Sequence, residues 1–267
     1  MPQLNRRSFL KNTALAGAVL GFPSIIPASA LGKDGTVAPS NRLQLVGIGL
    51  KAQGGGDMRQ LMSKKGVQVI AICDVDRRVL KSVSENVVKK GLSAPNQYVD
   101  FREMLAKEKP DAAVHGLPDH WHGVISCALL RAGIDVYGEK PLAKTWAEGK
   151  AIADAVKENG RVWQTGMWQR STPNFRRGVE LVRNGMLGKI QKVEVGTGPN
   201  KQVMPPAPQP GEKAPAEVDY DMWVGPSADF AYDPRVFHFH WRWNLNFGGG
   251  MLLDWVCHHP DIAAWAM

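Results

Sequence analysis

The chain of 267 residues carries a formal net charge of +8, and its length predicts one large or two modest domains. Its lysines and arginines are scattered among acidic residues and form no basic stripe that alternates with aromatic residues, which argues against a nucleic-acid partner. The three cysteines show no CxxC spacing, so the sequence gives no sign of a disulfide framework.

The N-terminus has the pattern of a twin-arginine export signal. Residues 5–11 (NRRSFLK) contain two adjacent arginines, residues 14–26 form an apolar run, and residues 28–30 (ASA) are small enough for cleavage. The run is too short to span a bilayer, although a membrane anchor is the alternative interpretation. We predict that residues 1–30 are a signal peptide read by the twin-arginine translocation machinery and then cleaved. The mature protein is therefore predicted to be periplasmic or otherwise exported, with no membrane span.

Strand-like and helix-like segments alternate along the first half of the chain. Short apolar runs predict strands at residues 42–50, 67–74, 111–116, 135–138 and 161–165. Helical patterns occur around residues 58–63, 78–90, 101–107, 123–132 and 146–159. Alternation at this spacing is typical of a parallel sheet with helices on both faces, which predicts an α/β fold.

A glycine-rich turn follows the first predicted strand. Gly47, Gly49 and Ala52 fit the pattern G-x-G-x-x-G/A. In this pattern the first glycine allows a tight turn, the second lets the backbone approach a pyrophosphate, and the small third residue lets the helix pack on the strand. The turn predicts a Rossmann-type NAD(P)-binding domain over residues 31–166.

Asp74 ends the second predicted strand. An acidic residue in this place accepts hydrogen bonds from a ribose 2′-hydroxyl and favours NAD over NADP. Arg77 and Arg78 lie close enough in sequence to leave NADP open, and Asp74 has helix capping as its alternative role. We therefore predict NAD as the cofactor, with NADP as the alternative.

Two further motifs follow predicted strands, at residues 117–122 (LPDHWH) and 139–141 (EKP). Both lie at carboxyl ends of parallel strands, where ligands bind in such sheets. Near the C-terminus, a run of three glycines at 248–250 precedes Asp254 and His258 in an Asp-x-x-x-His arrangement. Together with the glycine-rich turn, these motifs resemble the Gfo/Idh/MocA oxidoreductase family over residues 42–267.

The resemblance implies a second, α+β domain, with an open and mostly antiparallel sheet, over residues 167–267. Here residues 175–187 predict a helix and residues 189–196 the first strand, whereas the proline-rich residues 199–215 predict a loop or polyproline segment. The remaining strands of the family's sheet are missing, and the sequence stops within an apolar stretch. We therefore expect the sequence to be truncated at its C-terminus.

The resemblance also implies three catalytic residues. Lys140 matches the family lysine that touches substrate and cofactor. Asp254 and His258 match the family pair in which the histidine is the acid/base and the aspartate binds or orients the substrate. Their four-residue spacing would place both on one helix face. Pro260 disfavours helical geometry at His259 and so leaves His259 as a competitor for the role of His258.

The wider site is predicted from the same motifs and from the aromatic residues near them. The predicted cofactor-binding residues are Gly47, Gly49, Ala52, Asp74, Pro118, Asp119, His122, Glu139, Lys140, Gln169 and Arg170. The predicted substrate-binding residues are Trp168, Arg242, Trp243 and His259. Tryptophan faces stack well on the C–H faces of sugars, although core packing is the alternative for each tryptophan.

Two histidine pairs raise the question of a metal site. His120 and His122 form one pair and His238 and His240 the other. Alternate residues share a face only in a strand, and no cysteine or carboxylate lies at ligand spacing near either pair. We predict no metal.

The leading functional prediction is an exported NAD(P)-dependent oxidoreductase that acts on a sugar or sugar derivative. The first alternative is a redox-neutral glycosidase or lyase, since some exported α-N-acetylgalactosaminidases of the family use tightly held NAD to oxidise C3 transiently. The second alternative is a sugar-binding protein without turnover. The expected partner is a carbohydrate small molecule, and homo-oligomerisation stays open.

Overall fold

The structure, a computed structural model, describes residues 27–197 and 212–267. Most of the predicted export signal and most of the proline-rich insert lie outside the described residues. The chain divides into two compact units, Met1–Arg42 and Leu43–Met267. In the described part of the first unit, two short 3₁₀ turns flank a loop in which the Thr36 hydroxyl donates to the Lys33 carbonyl at 2.7 Å. The second unit contains the sheet and the helices that surround it.

Six parallel strands form one sheet in the order β3-β2-β1-β4-β5-β6, as in a dinucleotide-binding fold. The strands are β1 (Leu43–Ile48), β2 (Val67–Cys73), β3 (Asn96–Tyr98), β4 (Ala112–His115), β5 (Asp135–Glu139) and β6 (Trp163–Gly166). The predicted parallel α/β architecture is confirmed. The sequence analysis missed β3, because three residues at the sheet edge carry no apolar run.

Helices connect and follow these strands. They are α1 (Gln53–Met62), α2 (Arg77–Lys89), α3 (Phe101–Lys107), α4 (Asp119–Arg131), α5 (Trp146–Asn159), α6 (Pro173–Arg183), α7 (Tyr220–Val224), α8 (Gly250–Trp255) and α9 (His259–Ala266). Two begin at least four residues earlier than predicted: α1 starts at Gln53, just before the glycine run, and α4 starts inside the LPDHWH motif. Low helix propensity hid the true start of α1, since its first turn contains three glycines.

The core lies on both faces of the sheet because neighbouring residues of β1 point to opposite sides. Val46 and Ile48 pack with residues of α3, α4 and α5 on one face. Leu45 packs on the other face with Met58 of α1 and Val87 of α2. This sandwich holds the strand ends, where the candidate site lies, in fixed positions.

The second half of the unit packs around a separate aromatic cluster. Trp223, Trp241 and Phe247 are buried there, and Val75 at the end of β2 packs against them. The described residues after Gly166 contain no strand, so the predicted strand at 189–196 is not formed. An extended segment needs a neighbour to satisfy its N–H and C=O groups, and the described part of the chain offers none there.

Among the described residues, no helix is both long enough and apolar enough to cross a membrane.

Candidate functional site

A cavity of about 450 Å³ opens at the carboxyl ends of β1, β2, β4 and β5. On the sheet side it is lined by Gly49, Asp74 and Glu139, and on the opposite side by Arg242 and His258. Its volume lies within the usual range for small-molecule and cofactor sites. Both halves of the unit therefore contribute side chains to one cavity at the ligand-binding edge of the sheet.

The glycine-rich turn forms one wall. Gly49 has φ +68, and a Cβ there would lie 2.9 Å from the Gly116 carbonyl oxygen. A Cβ on Gly54 would lie 2.2 Å from the Gly49 carbonyl oxygen, and one on Gly116 would lie 2.6 Å from the Gly54 Cα. The close approach of helix to strand that was predicted at Ala52 is thus made by Gly54, two residues later. This is a correction to the role of Ala52, which still lines the cavity.

Ala52 precedes the first turn of α1 with φ 55 and ψ −113. This backbone conformation is strongly disfavoured for a residue with a Cβ. At the other end of the turn, a Cβ on Gly47 would lie 2.8 Å from the Met58 Sδ and would force that side chain to move. The turn leads directly into a helix N-terminus, which is suited to a phosphate group.

Asp74 lies at the end of β2 and braces the turn. Its carboxylate accepts hydrogen bonds from the Leu50 N–H at 2.8 Å and the Asp76 N–H at 3.0 Å. Burial raises the pKa of Asp74 to about 6. The cap of α2 is Asp76, whose side chain accepts from the Arg78 N–H, so the alternative capping role falls to Asp76. Asp74 lines the cavity, and its contact with a ribose stays a prediction.

The LPDHWH motif supplies a second wall. Pro118 and Asp119 line the cavity, and Asp119 accepts a hydrogen bond from the Gly249 N–H at 3.1 Å. His122 differs from its predicted place. It is fully buried and outside the cavity lining, with Nδ1 2.6 Å from the Pro141 carbonyl oxygen and Nε2 2.9 Å from that of Leu117. It holds the two motif loops together from behind.

Glu139 has a partner that sequence reasoning missed. Burial, and then the charge of Asp57 in α1, raise the pKa of Glu139 to about 8. Asp57 Oδ2 and Glu139 Oε1 are both buried, and within the described part of the chain no N–H or hydroxyl group donates to either oxygen, so the hydrogen bond open to them is one between the two carboxyl groups. Two buried carboxyl groups so placed favour sharing a proton. From the sequence alone, Asp57 is only an acidic residue that follows three glycines.

Lys140 joins the two halves of the site. Its Nζ donates to Asp254 Oδ1 at 2.5 Å and to the Asp254 carbonyl at 2.9 Å. Arg242 Nε lies 3.6 Å from the same Asp254 oxygen. The Lys140–Pro141 peptide bond is cis. The carboxylate thus lies between two cations at the cavity wall.

His258 is buried at the same end of the cavity, with rings of Trp168 and Trp255 each 5.7 Å away. Burial and the nearby Lys140 ammonium lower the pKa of His258 to about 4, so the ring is neutral at pH 7. Its Nδ1 has no hydrogen-bond partner in the described part of the chain. The ring is therefore unprotonated at pH 7 and can act as an acceptor, and its low pKa makes it a weaker base than a free imidazole.

The predicted helix through Asp254 and His258 is wrong. The helix α8 ends at Trp255 and α9 begins at His259, because Pro260 starts a new helix. Asp254 and His258 nevertheless both reach the cavity. His259 stacks on Trp255 at 5.6 Å and lines a separate groove with α6 and α9 residues.

The remaining predicted residues divide into two groups. Trp168 lines the cavity, as does Arg242. Trp243, Gln169 and Arg170 lie outside its lining, and Arg170 is engaged with Asp261 through two bonds of 2.6 and 2.7 Å. The predicted contacts of these three residues with a ligand therefore have no support from the cavity geometry.

The histidine pairs are used for packing and hydrogen bonding. His120 Nε2 lies 3.0 Å from the Trp223 carbonyl oxygen, and His238 Nε2 lies 2.9 Å from Asp76 Oδ2. Within residues 27–197 and 212–267, no group of three or more His, Cys, Asp or Glu side chains is arranged to hold a metal ion.

The sequence is similar to that of several curated proteins. A glycosyl hydrolase family 109 protein of Shewanella pealeana is 28% identical over 207 residues, which cover 70% of this chain and 44% of the relative. Glycosyl hydrolase family 109 protein 1 of Shewanella sp. strain ANA-3 is 27% identical over 210 residues, covering 71% and 45%. The match thus spans less than half the length of these curated relatives.

Solved structures agree on the fold. A myo-inositol 2-dehydrogenase from Lactobacillus plantarum matches with a TM-score of 0.50 and 28% identity, covering 56% of this chain and 43% of that chain. GenD2 from gentamicin A biosynthesis, in complex with NAD, matches with a TM-score of 0.50 and 23% identity, covering 61% and 43%. The second likeness concerns the fold alone.

Two family models match successive parts of the chain. Residues 42–167 match the NAD-binding Rossmann fold of an oxidoreductase family, and residues 173–265 match the family's C-terminal α/β domain. The six-stranded sheet and the cavity at its carboxyl edge agree with this assignment. The chain therefore belongs to the Gfo/Idh/MocA family of oxidoreductases.

Proposed function

We propose that the protein is an NAD-dependent oxidoreductase that moves a hydride between a hydroxyl-bearing carbon of a sugar or sugar derivative and a nicotinamide. The observation that carries the proposal is the convergence of Lys140, Asp254 and His258 at one end of a cavity. The glycine-rich turn and Asp74 line the same cavity at the end of β1 and β2. When bound, NAD supplies the hydride acceptor or donor.

The residues present fit a dinucleotide. A side chain at Gly49 or Gly54 would collide with backbone, so these glycines allow the turn to pack closely on the strand ends. The turn leads into the N-terminus of α1, which is suited to a phosphate group. Arg78 is held by Asp76 through Nε at 2.9 Å and Nη2 at 2.8 Å. Because that guanidinium is already paired, and Asp74 lies nearby, the arrangement supports NAD over NADP.

The catalytic residues have separable roles in this proposal. His258, neutral at pH 7, accepts the proton of the substrate hydroxyl. Asp254 holds the Lys140 ammonium in one position, so that its one remaining N–H can donate to the substrate oxygen. Arg242 stacks 4.4 Å above Trp241 and places a second cation beside Asp254. Trp168, half-exposed and on the cavity wall, supports binding of a sugar ring by stacking.

The second candidate function is a redox-neutral glycosidase or lyase. The family 109 relatives favour it. Transient oxidation at C3 followed by elimination and re-reduction would use the same base and the same bound NAD. It needs no external nicotinamide, which suits an exported protein.

Product analysis separates these candidates. The protein is incubated with candidate sugars and glycosides while NADH and released products are measured. Net reduction of NAD with a ketosugar product supports the oxidoreductase, whereas an aglycone released without net NADH supports the glycosidase. Binding without any turnover would overturn both. Lys140→Met should lower turnover by roughly 10²–10⁴-fold, while Lys150→Met, on the surface and paired with Asp154, should not.

We also propose export through the twin-arginine pathway. The supporting residues are the NRRSFLK motif and the small residues at 28–30. Fractionation of a bacterial host, with N-terminal sequencing of the product, should find the protein in the periplasm and cleaved after Ala30. Replacing Arg6 and Arg7 by lysine should retain it in the cytoplasm, and periplasmic delivery of that variant would contradict the proposal.

A further inference from the structure

A segment from the second half of the unit is attached to the end of β2. We call residues 215–247, all of which the structure describes, the cap segment. The Arg77 N–H donates to the Glu217 carbonyl at 3.0 Å, and the Asp219 N–H donates to the Val75 carbonyl at 2.9 Å. Asp76 lies between these bonds and forms an antiparallel bridge with Val218. The cap segment is thus bonded directly to the residues that follow β2.

His238 of the cap segment contacts Asp76 and also lines the cavity. Its Nε2 lies 2.9 Å from Asp76 Oδ2, its side chain is 13% exposed, and it lines the cavity. Asp76 is 2% exposed and also binds Arg78. Burial opposes ionisation of Asp76, but hydrogen bonds from Arg78 and His238 hold its pKa below the ordinary value. The carboxylate is therefore a fixed anchor for the imidazole.

The imidazole is available as an acceptor. Burial lowers the pKa of His238 to about 4, against the opposing effect of Asp76, so the ring is neutral at pH 7. A neutral ring whose Nε2–H donates to a carboxylate has Nδ1 as its acceptor nitrogen. Phe239, the next residue, also lines the cavity and is 52% exposed. An acceptor and an aromatic face thus lie side by side at the cavity wall.

The place of His238 and Phe239 in the fold indicates which part of a bound dinucleotide they would contact. In this fold, the residues at the end of β2 take the adenosine ribose. His238 contacts Asp76, two residues beyond Asp74. The catalytic Lys140 is instead at the end of β5, so the reacting nicotinamide belongs there.

We propose that His238 is a cofactor-binding residue that contacts the adenosine half of the dinucleotide, and that the cap segment thereby slows cofactor release. The inference rests on the proposed use of NAD. It adds a residue outside the nucleotide-binding domain to the cofactor site, and it explains why a buried aspartate at the end of β2 faces a histidine 162 residues away. Slow release suits the redox-neutral candidate, because its nicotinamide returns to the oxidised form within each catalytic cycle.

Release of NADH measures the effect without any catalysis. Protein loaded with NADH is mixed with excess NAD in a stopped-flow instrument, and the loss of bound-NADH fluorescence gives the dissociation rate. His238→Ala should release NADH about tenfold faster, the scale of one lost hydrogen bond with its packing. The matched control His240→Ala, in the same segment but outside the cavity lining, should stay within about twofold of the wild type.

A binding measurement and a second variant provide further tests of the inference. Reduced nicotinamide mononucleotide, which lacks the adenosine half, should bind wild type and His238→Ala with equal Kd. Phe239→Ala removes a half-exposed ring that is not part of the hydrophobic core. This variant should also release NADH faster than the wild type. If both His238→Ala and Phe239→Ala release NADH at the wild-type rate, the inference is overturned and the proposed function still stands. Wild-type protein that binds no nicotinamide nucleotide would overturn both.

Discussion

Replacing Asp57 by asparagine should change how stability depends on pH. In the wild type the pKa of Glu139 rises from its ordinary 4.5 to about 8 on folding. The folded state then binds more protons than the unfolded state between these values, so the free energy of unfolding falls as pH rises from about 4.5 to 8. At 1.36 kcal/mol per pKa unit, the upper limit of this loss is roughly 4–5 kcal/mol.

Asparagine keeps the shape of Asp57 and its bond from Gln53 Nε2, which is 2.9 Å long, but removes the negative charge. Burial is the larger cause of the shift and the charge of Asp57 the second. We therefore expect Asp57→Asn to recover about 1–2 kcal/mol of the loss at pH 8.5.

Urea unfolding at pH 5 and pH 8.5 measures the difference. Asp154→Asn is the matched control, because Asp154 is an exposed carboxylate in a surface ion pair. The wild type should lose more stability between the two pH values than Asp57→Asn does. Equal losses in the two proteins would refute the coupling of Asp57 to Glu139.

Three further predictions follow from the turn and the base. Gly54→Ala should destabilise the fold by more than about 2 kcal/mol in thermal unfolding, because its Cβ would lie 2.2 Å from a backbone oxygen, whereas Gly178→Ala, with nothing within 4 Å, should be neutral or stabilising; similar melting shifts would contradict this. Ala52→Gly should stabilise by about 1 kcal/mol by relieving φ 55, and an unchanged or lower Tm would count against that backbone conformation. His258→Ala should lower turnover by roughly 10²–10⁴-fold and His259→Ala only slightly. With NAD saturating, so that protonation of Asp74 near pH 6 does not limit binding, kcat of the wild type should fall only near pH 4, where His258 becomes protonated; an acid limb of kcat near 6.5 would show that the ring is not desolvated.

The sheet could be predicted because every strand of the first domain except β3, and every helix, carries its own local pattern. The edge strand β3 has only three residues and no apolar run, so no pattern marks it. The strand predicted at 189–196 is not formed, although its apolar residues are present. A local pattern does not show whether a neighbouring strand is there to pair with it.

The candidate site was predictable where motifs adjoin strand ends. Lys140 and Asp74 line the cavity because a strand places each of them at the sheet edge. His258 reaches the cavity although the helix expected to carry it ends at Trp255, so the residue was found with the wrong geometry. Asp57 and His238 were missed, because their importance arises from partners that are distant in sequence and brought together only by packing.

The bond between Lys140 and Asp254 has a consequence for how such proteins diversify. One partner comes from the nucleotide-binding half and the other from the half that follows, 114 residues later. A chimera that joins the first half of one relative to the second half of another inherits a lysine and a carboxylate that never evolved together. Recombination at the junction between the halves should therefore preserve folding more readily than turnover, and changes in substrate range should arise by mutation within a matched pair of halves.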